Sequence, residues 1–363
     1  MSPALPYAFI SPLLWKLIIL GLKYLAMKSI ACSRITCRLS VVMALLMILP
    51  AMAVYGQKQR TMRYSTRSAK KAEVWQAELR SKLAVLMKVE DLIGTGKSIP
   101  LDMKEIRTEN MGDYLLKEIE FNTTTTRRIR VLITCPLKST GPWPAVVCMH
   151  GHGGTPGIVY EKASLYNGFA DELARRNYVT IAPVVSQHDV YEAGRTLMGE
   201  RLWDCMRCVD YLYSCFSVDS TRIGCAGLSL GGEMAMWLGA MDTRIVATVS
   251  CGFLTRMDQM EQGHCMCWKF PGLRELVDYS DIYCLTAPRA LMCQNGLKEP
   301  PADFTVELAR AAMKEIEVIY YNFSQPEKVS LVAHPGAHVV DVPSLLIFFK
   351  KYLTPIKATA DEQ

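Results

Sequence analysis

Gly227-Leu228-Ser229-Leu230-Gly231-Gly232 stands between an apolar run, Arg222 to Ala226, and a helical pattern, Glu233 to Met241. Strand, sharp turn and helix in that order put a serine on a strained bend with its hydroxyl pushed outward. Each glycine has a physical reason. The chain reverses within a few residues, and side chains at Gly227 and Gly231 would collide with neighbouring backbone. Gly232 lets the helix pack close to the strand. The free N–H groups and positive dipole end of that helix then favour negative charge developing beside the serine. A Gly/Ser-rich turn without chemistry is the plain alternative, and it leaves the flanking motifs unexplained.

Upstream, His150-Gly151-His152-Gly153-Gly154 directly follows the apolar strand pattern Ala145 to Met149. Glycines there allow backbone N–H groups to face an oxyanion. The expected donors are the backbone N–H groups of Leu230 and His152, with Gly151 as the alternative to His152. The His150 side chain is expected to buttress the loop. Downstream, sites built on such a bend take their partners in the order serine, acid, histidine. Two histidines remain late in the chain, in His334-Pro335-Gly336-Ala337-His338, and His338 is favoured because it lies beyond the Gly-Ala turn. The acid is expected in Asn295 to Asp303: Glu299 first, Asp303 as its alternative, and Asp258 a distant third. Its task is to hold the imidazole tautomer.

Strand and helix patterns alternate from Ala145 to Tyr352. That alternation predicts an α/β domain over 113–355, a mostly parallel central sheet flanked by helices. Leu115–Phe121 and Arg128–Thr134 read as an antiparallel edge hairpin. Residues 57–112 read as an N-terminal helical extension, with an amphipathic helix over about Lys70 to Leu92.

The net charge of +6 comes mostly from a leader, 1–56, with five basic residues and no acidic one. The remainder holds 36 basic against 35 acidic residues, which argues against a nucleic-acid partner. Met27 to Gly56 has the basic, apolar and small-residue segments of a signal peptide. Met27 is therefore a candidate start, and the chain is expected to be exported, held at a membrane only through an uncleaved leader. The 13 cysteines show no disulfide framework. Cys205/Cys208 and Cys265/Cys267 read as buried thiols, with no metal and no other cofactor expected.

These segments resemble the acetylxylan-esterase and dienelactone-hydrolase-like branch of the α/β-hydrolases. Besides the two glycine motifs, Met198–Asp204, Val218–Ile223, Ala287–Leu291 and Gly336-Ala337-His338 carry the likeness, over about Trp75 to Tyr352. Two positions depart from the pattern. Glu299 stands where the branch usually has an aspartate, and Val184 follows Pro183 where an aspartate is common. The resemblance implies two-step acyl transfer from a small-molecule or glycan ester, an acetyl ester by analogy, with Ser229, His338 and Glu299 as the triad. A peptidase or thioesterase of the same fold, or a non-catalytic binding protein on a hydrolase scaffold, is the competing reading.

Overall fold

The computed structural model describes residues 60–301 and 304–354. The expectations placed on the leader and on Asp303 lie outside the described residues. Nine strands form one sheet: β1 (Lys104–Asn110), β2 (Tyr114–Asn122), β3 (Arg128–Pro136), β4 (Trp143–Met149), β5 (Val179–Pro183), β6 (Val218–Leu228), β7 (Ile245–Cys251), β8 (Ala290–Gly296) and β9 (Val329–His334). Their spatial order is β1-β2-β3-β5-β4-β6-β7-β8-β9. Pairing is antiparallel from β1 through β3 to β5 and parallel from β5 to β9. The hairpin read from the sequence is present as β2 and β3. It is not the sheet edge, because β1, inside the segment read as helical, pairs outside it.

The helices are α1 (Ala69–Met87), α2 (Glu90–Thr95), α3 (Phe169–Ala174), α4 (Leu197–Ser214), α5 (Leu230–Met241), α6 (Met257–Met260), α7 (Leu273–Leu276), α8 (Tyr279–Cys284), α9 (Val306–Asn322) and α10 (Val342–Leu353). Strand periodicity sorts the core into two layers. On β4, Ala145, Val147 and Met149 join a core containing residues of α1, α4, α5 and α9. The intervening Val146 and Cys148 join a second core with Phe169, Leu173, Leu345 and Phe349 from α3 and α10. A strand buried on both faces must be apolar throughout, which is why β4 reads as an unbroken apolar run. Each fully buried aliphatic or aromatic side chain contributes roughly 1.5–3 kcal/mol.

The long amphipathic pattern near the N-terminus divides at Lys88, which adopts φ 57°, ending α1 before α2 begins. Helix α1 is docked by hydrogen bonds as well as by apolar contact. Gln76 Nε2 donates to the carbonyls of Cys284 and Ala287, both at 2.8 Å, and Arg80 Nε donates to that of Ala240 at 2.8 Å. These acceptors lie at or just beyond the ends of α8 and α5, where helix carbonyls lack intrahelical partners.

Candidate active site

Parallel strands bring four loops to one end of the sheet, the carboxyl end where α/β folds place their sites. Ser229 follows β6, His150–Gly154 follows β4, Glu299 follows β8 and His338 follows β9. Ser229 has φ 62° and ψ −124°, a conformation L-residues rarely adopt, costing on the order of 1–3 kcal/mol. Its N–H donates to Cys251 O at 2.9 Å and its carbonyl accepts from Glu233 N at 2.9 Å, so β7 and α5 hold the bend. A Cβ on Gly227 would lie 2.3 Å from Gly231 O, and one on Gly231 would lie 2.2 Å from Met149 O. Neither glycine can be exchanged without moving backbone.

Glu299 and His338 meet. His338 Nδ1 lies 2.9 Å and 3.1 Å from the two carboxylate oxygens, and the Glu299 side chain is 1% exposed against 26% for His338. The two loops are laced together: Leu297 N donates to His334 O and Lys298 N to Gly336 O. Gly296 is what permits this approach, since a Cβ there would sit 2.2 Å from Ala337 O. The imidazole stacks on Phe304, with centroids 5.6 Å apart, and packs against Gly252, the residue after the Cys251 that holds Ser229. No hydrogen bond joins the Ser229 hydroxyl to the His338 ring in this arrangement. Such bonds are often long without substrate and tighten when it binds.

The other sequence-selected residues separate by role. His150 is buried, with Nδ1 2.9 Å from Gly151 O and Nε2 accepting from Val185 N at 3.3 Å. It ties the loop after β4 to the chain after β5, as a buttress does. Burial also lowers its pKa. His334 is buried at the end of β9 and accepts from Gly336 N at 3.2 Å. The Asp258 carboxylate is paired with Arg274. Leu230 is the first residue of α5, where a backbone N–H has no intrahelical acceptor.

Gly151 N donates to Tyr166 Oη at 2.5 Å, so that N–H is engaged, whereas His152 N–H makes no backbone hydrogen bond of its own. A Cβ on Gly151 would lie 3.2 Å from Ser229 Cβ and 3.0 Å from Tyr166 Oη, which puts the phenol beside the serine. Burial raises the Tyr166 pKa, keeping the O–H as a donor. Sequence reading missed Tyr166, because it sits in a turn before α3 with no motif around it.

The His152 side chain is pushed down to about 4 by burial and by the nearby Arg201, His188 and His264 charges, so the ring is neutral at neutral pH. Its Nε2 is 3.1 Å from Cys267 Sγ. Cys205 and Cys208 are buried as expected, but Cys265 is exposed and Cys267 half-buried, a correction to the reading of both as core thiols. With His152 and His188 they bring four ligand atoms within 4.8 Å of one another.

The sheet order, its parallel crossovers and the serine bend between β6 and α5 give this chain the α/β-hydrolase fold. The family model described as "Glucuronyl esterase, fungi" matches residues 119–253, a span holding the His150–Gly154 loop and Ser229 but ending before Glu299 and His338. The chain is 25% identical over 270 residues to "Putative hydrolase YtaP" of Bacillus subtilis (strain 168), covering 66% of this chain and 87% of that one. A Bacteroides fragilis structure described as a "putative acetyl xylan esterase" superposes with TM-score 0.65 and 17% identity, over 84% of this chain and 88% of the other. A glucuronoyl esterase from Caldicellulosiruptor kristjansonii superposes with TM-score 0.57 and 13% identity, over 81% and 88%. Among the described residues no helix is long and apolar enough to cross a membrane.

Proposed function

We propose that the chain is an exported serine hydrolase that cleaves a carboxylic ester on a carbohydrate. Ser229 Oγ attacks the ester carbonyl, and its proton passes to His338 Nε2. Glu299, held on Nδ1, fixes the tautomer that leaves Nε2 free to accept and stabilises the imidazolium that forms. The N–H groups of Leu230 and His152 receive the oxyanion, and the imidazolium returns its proton to the departing alcohol. Water then enters by the same route in reverse, and the acid leaves. The observation carrying this reading is the two-oxygen grip of a buried glutamate on a partly exposed imidazole, at the same end of the sheet as a serine held at positive φ.

Support for a carbohydrate ester comes from the names of the similar proteins, a glucuronyl esterase family and acetyl xylan esterases. These act on opposite polarities: an acetyl ester carries the sugar as alcohol, whereas a glucuronoyl ester carries it as acyl group. A fluorophosphonate probe should label the wild type and leave Ser229→Ala unlabelled; an unlabelled wild type would favour a non-catalytic scaffold. Acetylated xylo-oligosaccharides tested against alkyl glucuronates then separate the two substrate classes. N-terminal sequencing of protein recovered from the culture medium tests export and cleavage before about residue 57.

A further inference from the structure

We propose that His152, His188, Cys265 and Cys267 form a tetrahedral site for one zinc ion at the rim of the cleft. The four come from three loops that are distant in sequence: after β4, after β5, and between α6 and α7. Only Cys265 and Cys267 are close in sequence, and folding brings His152 and His188 to them. All four ligand atoms lie within 4.8 Å of one another. Zn–S bonds of about 2.3 Å and Zn–N bonds of about 2.0–2.1 Å set tetrahedral edges of roughly 3.3–3.8 Å. Two edges are already close to this: His152 Nε2 to Cys267 Sγ at 3.1 Å, and His188 Nε2 to Cys265 Sγ at 3.4 Å. Side-chain rotation of about 1 Å closes the rest.

The surroundings suit the ion. His188 Nδ1 lies 3.0 Å from Ser186 O, so its N–H is committed there and the lone pair on Nε2 faces the cluster. Arg201 is fully buried, its Nε has no hydrogen-bond partner, and its Nη1 donates to Cys267 Sγ at 3.5 Å. Burial pushes the Cys267 thiol up to about 12 and the guanidinium only opposes that rise, so the metal itself has to displace the proton. On binding, each thiol releases one proton to solvent, and two thiolates balance the charge of Zn²⁺. Two imidazoles and two thiolates filling four positions leave none for substrate, which makes the site structural rather than catalytic. Its effect would be to pin the loop that carries His152 N–H. That consequence, unlike the site itself, rests on the esterase reading.

The test uses the full chain stripped with a chelator and reloaded with Zn²⁺ or Co²⁺. One metal per chain is expected, with the Co²⁺ form showing thiolate charge transfer in the near ultraviolet and the visible bands of a tetrahedral ion. Cys265→Ser and His188→Gln, both at exposed positions, should each weaken Zn²⁺ at least about 100-fold, beyond what loss of an outer partner costs. Ser229→Ala should bind Zn²⁺ as the wild type does, so loss of hydrolysis and loss of metal are read separately. The proposal is overturned if the stripped chain retains no Zn²⁺ and shows no charge-transfer band, if both ligand variants bind like the wild type, or if Cys265 and Cys267 titrate as a disulfide.

Discussion

At the residue scale Glu299, the proposed acid, is the instructive position. A glutamate stands where an aspartate is usual in the branch this chain resembles. Its loop is drawn close to the His338 loop at Gly296, the last residue of β8, which touches the carbonyls of Gly336 and Ala337. Both oxygens of Glu299 then lie within hydrogen-bond reach of one imidazole nitrogen. Glu299→Gln keeps the shape and removes the charge that stabilises the imidazolium. It is expected to lower kcat by up to about 10⁴-fold, with KM nearly unchanged, because the interaction strengthens only as the proton moves. Steady-state kinetics on a p-nitrophenyl ester check this. A loss below tenfold would transfer the acid role elsewhere, Asp303 being next in line by sequence.

At the element scale, α5 carries a cost as well as the serine. Glu233 sits in its first turn, buried, accepting from Trp237 Nε1 at 3.4 Å. Burial pushes its carboxyl up to about 7, although the Arg201 charge opposes the rise. A folded-state pKa above the unfolded value means that the native state binds the proton more tightly. The associated stability is therefore complete below about pH 4.5 and is lost as pH rises through about 7. Glu233→Gln, which mimics the protonated form, should match the wild type near pH 4.5 and exceed it by up to about 3 kcal/mol at pH 8. Denaturant titrations at the two pH values check it, and a variant less stable at pH 8 would contradict the sign. Elements like α5 were legible in the sequence because both of their faces are apolar and a motif fixes their start. Strand β1 was not: all seven of its residues are exposed, so no alternation of buried and open positions marks it, and its charges suit a sheet edge. Helix α3 starts only at Phe169 although Tyr166 fits the apolar period, because Asn167 and Gly168 adopt positive φ and delay the first turn. Order along the chain selected Ser229, Glu299 and His338, and of these the structure brings Glu299 and His338 into contact. Tyr166 and the His152–Cys267 cluster were not legible in that way, since their relation exists only after loops up to 115 residues apart converge.

At the scale of the whole molecule, the question is what holds the N-terminal segment to the hydrolase core. Glu315 on α9 accepts from Arg60 at 3.1 Å, from Arg256 at 2.9 Å and from Ser280 of α8 at 2.7 Å, so one carboxylate joins four parts of the chain. Arg60 continues to Asp281 at 3.1 Å, and Asp281 in turn accepts from Tyr64 N at 2.9 Å. Burial by itself would raise the Glu315 pKa; the Ser280 hydrogen bond and the two arginine charges outweigh it and bring the group down to about 2. A depressed carboxylate contributes stability that is complete above the unfolded value of about 4.5 and disappears as pH falls through about 2. The full shift would correspond to more than 3 kcal/mol, but the carboxylate is partly open to solvent, and screening reduces this to about 1–2 kcal/mol. Glu315→Gln should therefore lower unfolding free energy by that amount at pH 7, with roughly half of the difference gone near pH 3.3. Because the hydrogen-bond partners of Glu315 are Arg60, Arg256 and Ser280 and include neither Ser229, His338 nor Glu299, kcat on a simple ester should be unchanged at pH 7. A variant as stable as the wild type at neutral pH, or one whose deficit widens as the solution is acidified, would show that the Glu315 carboxylate contributes nothing to holding the N-terminal segment.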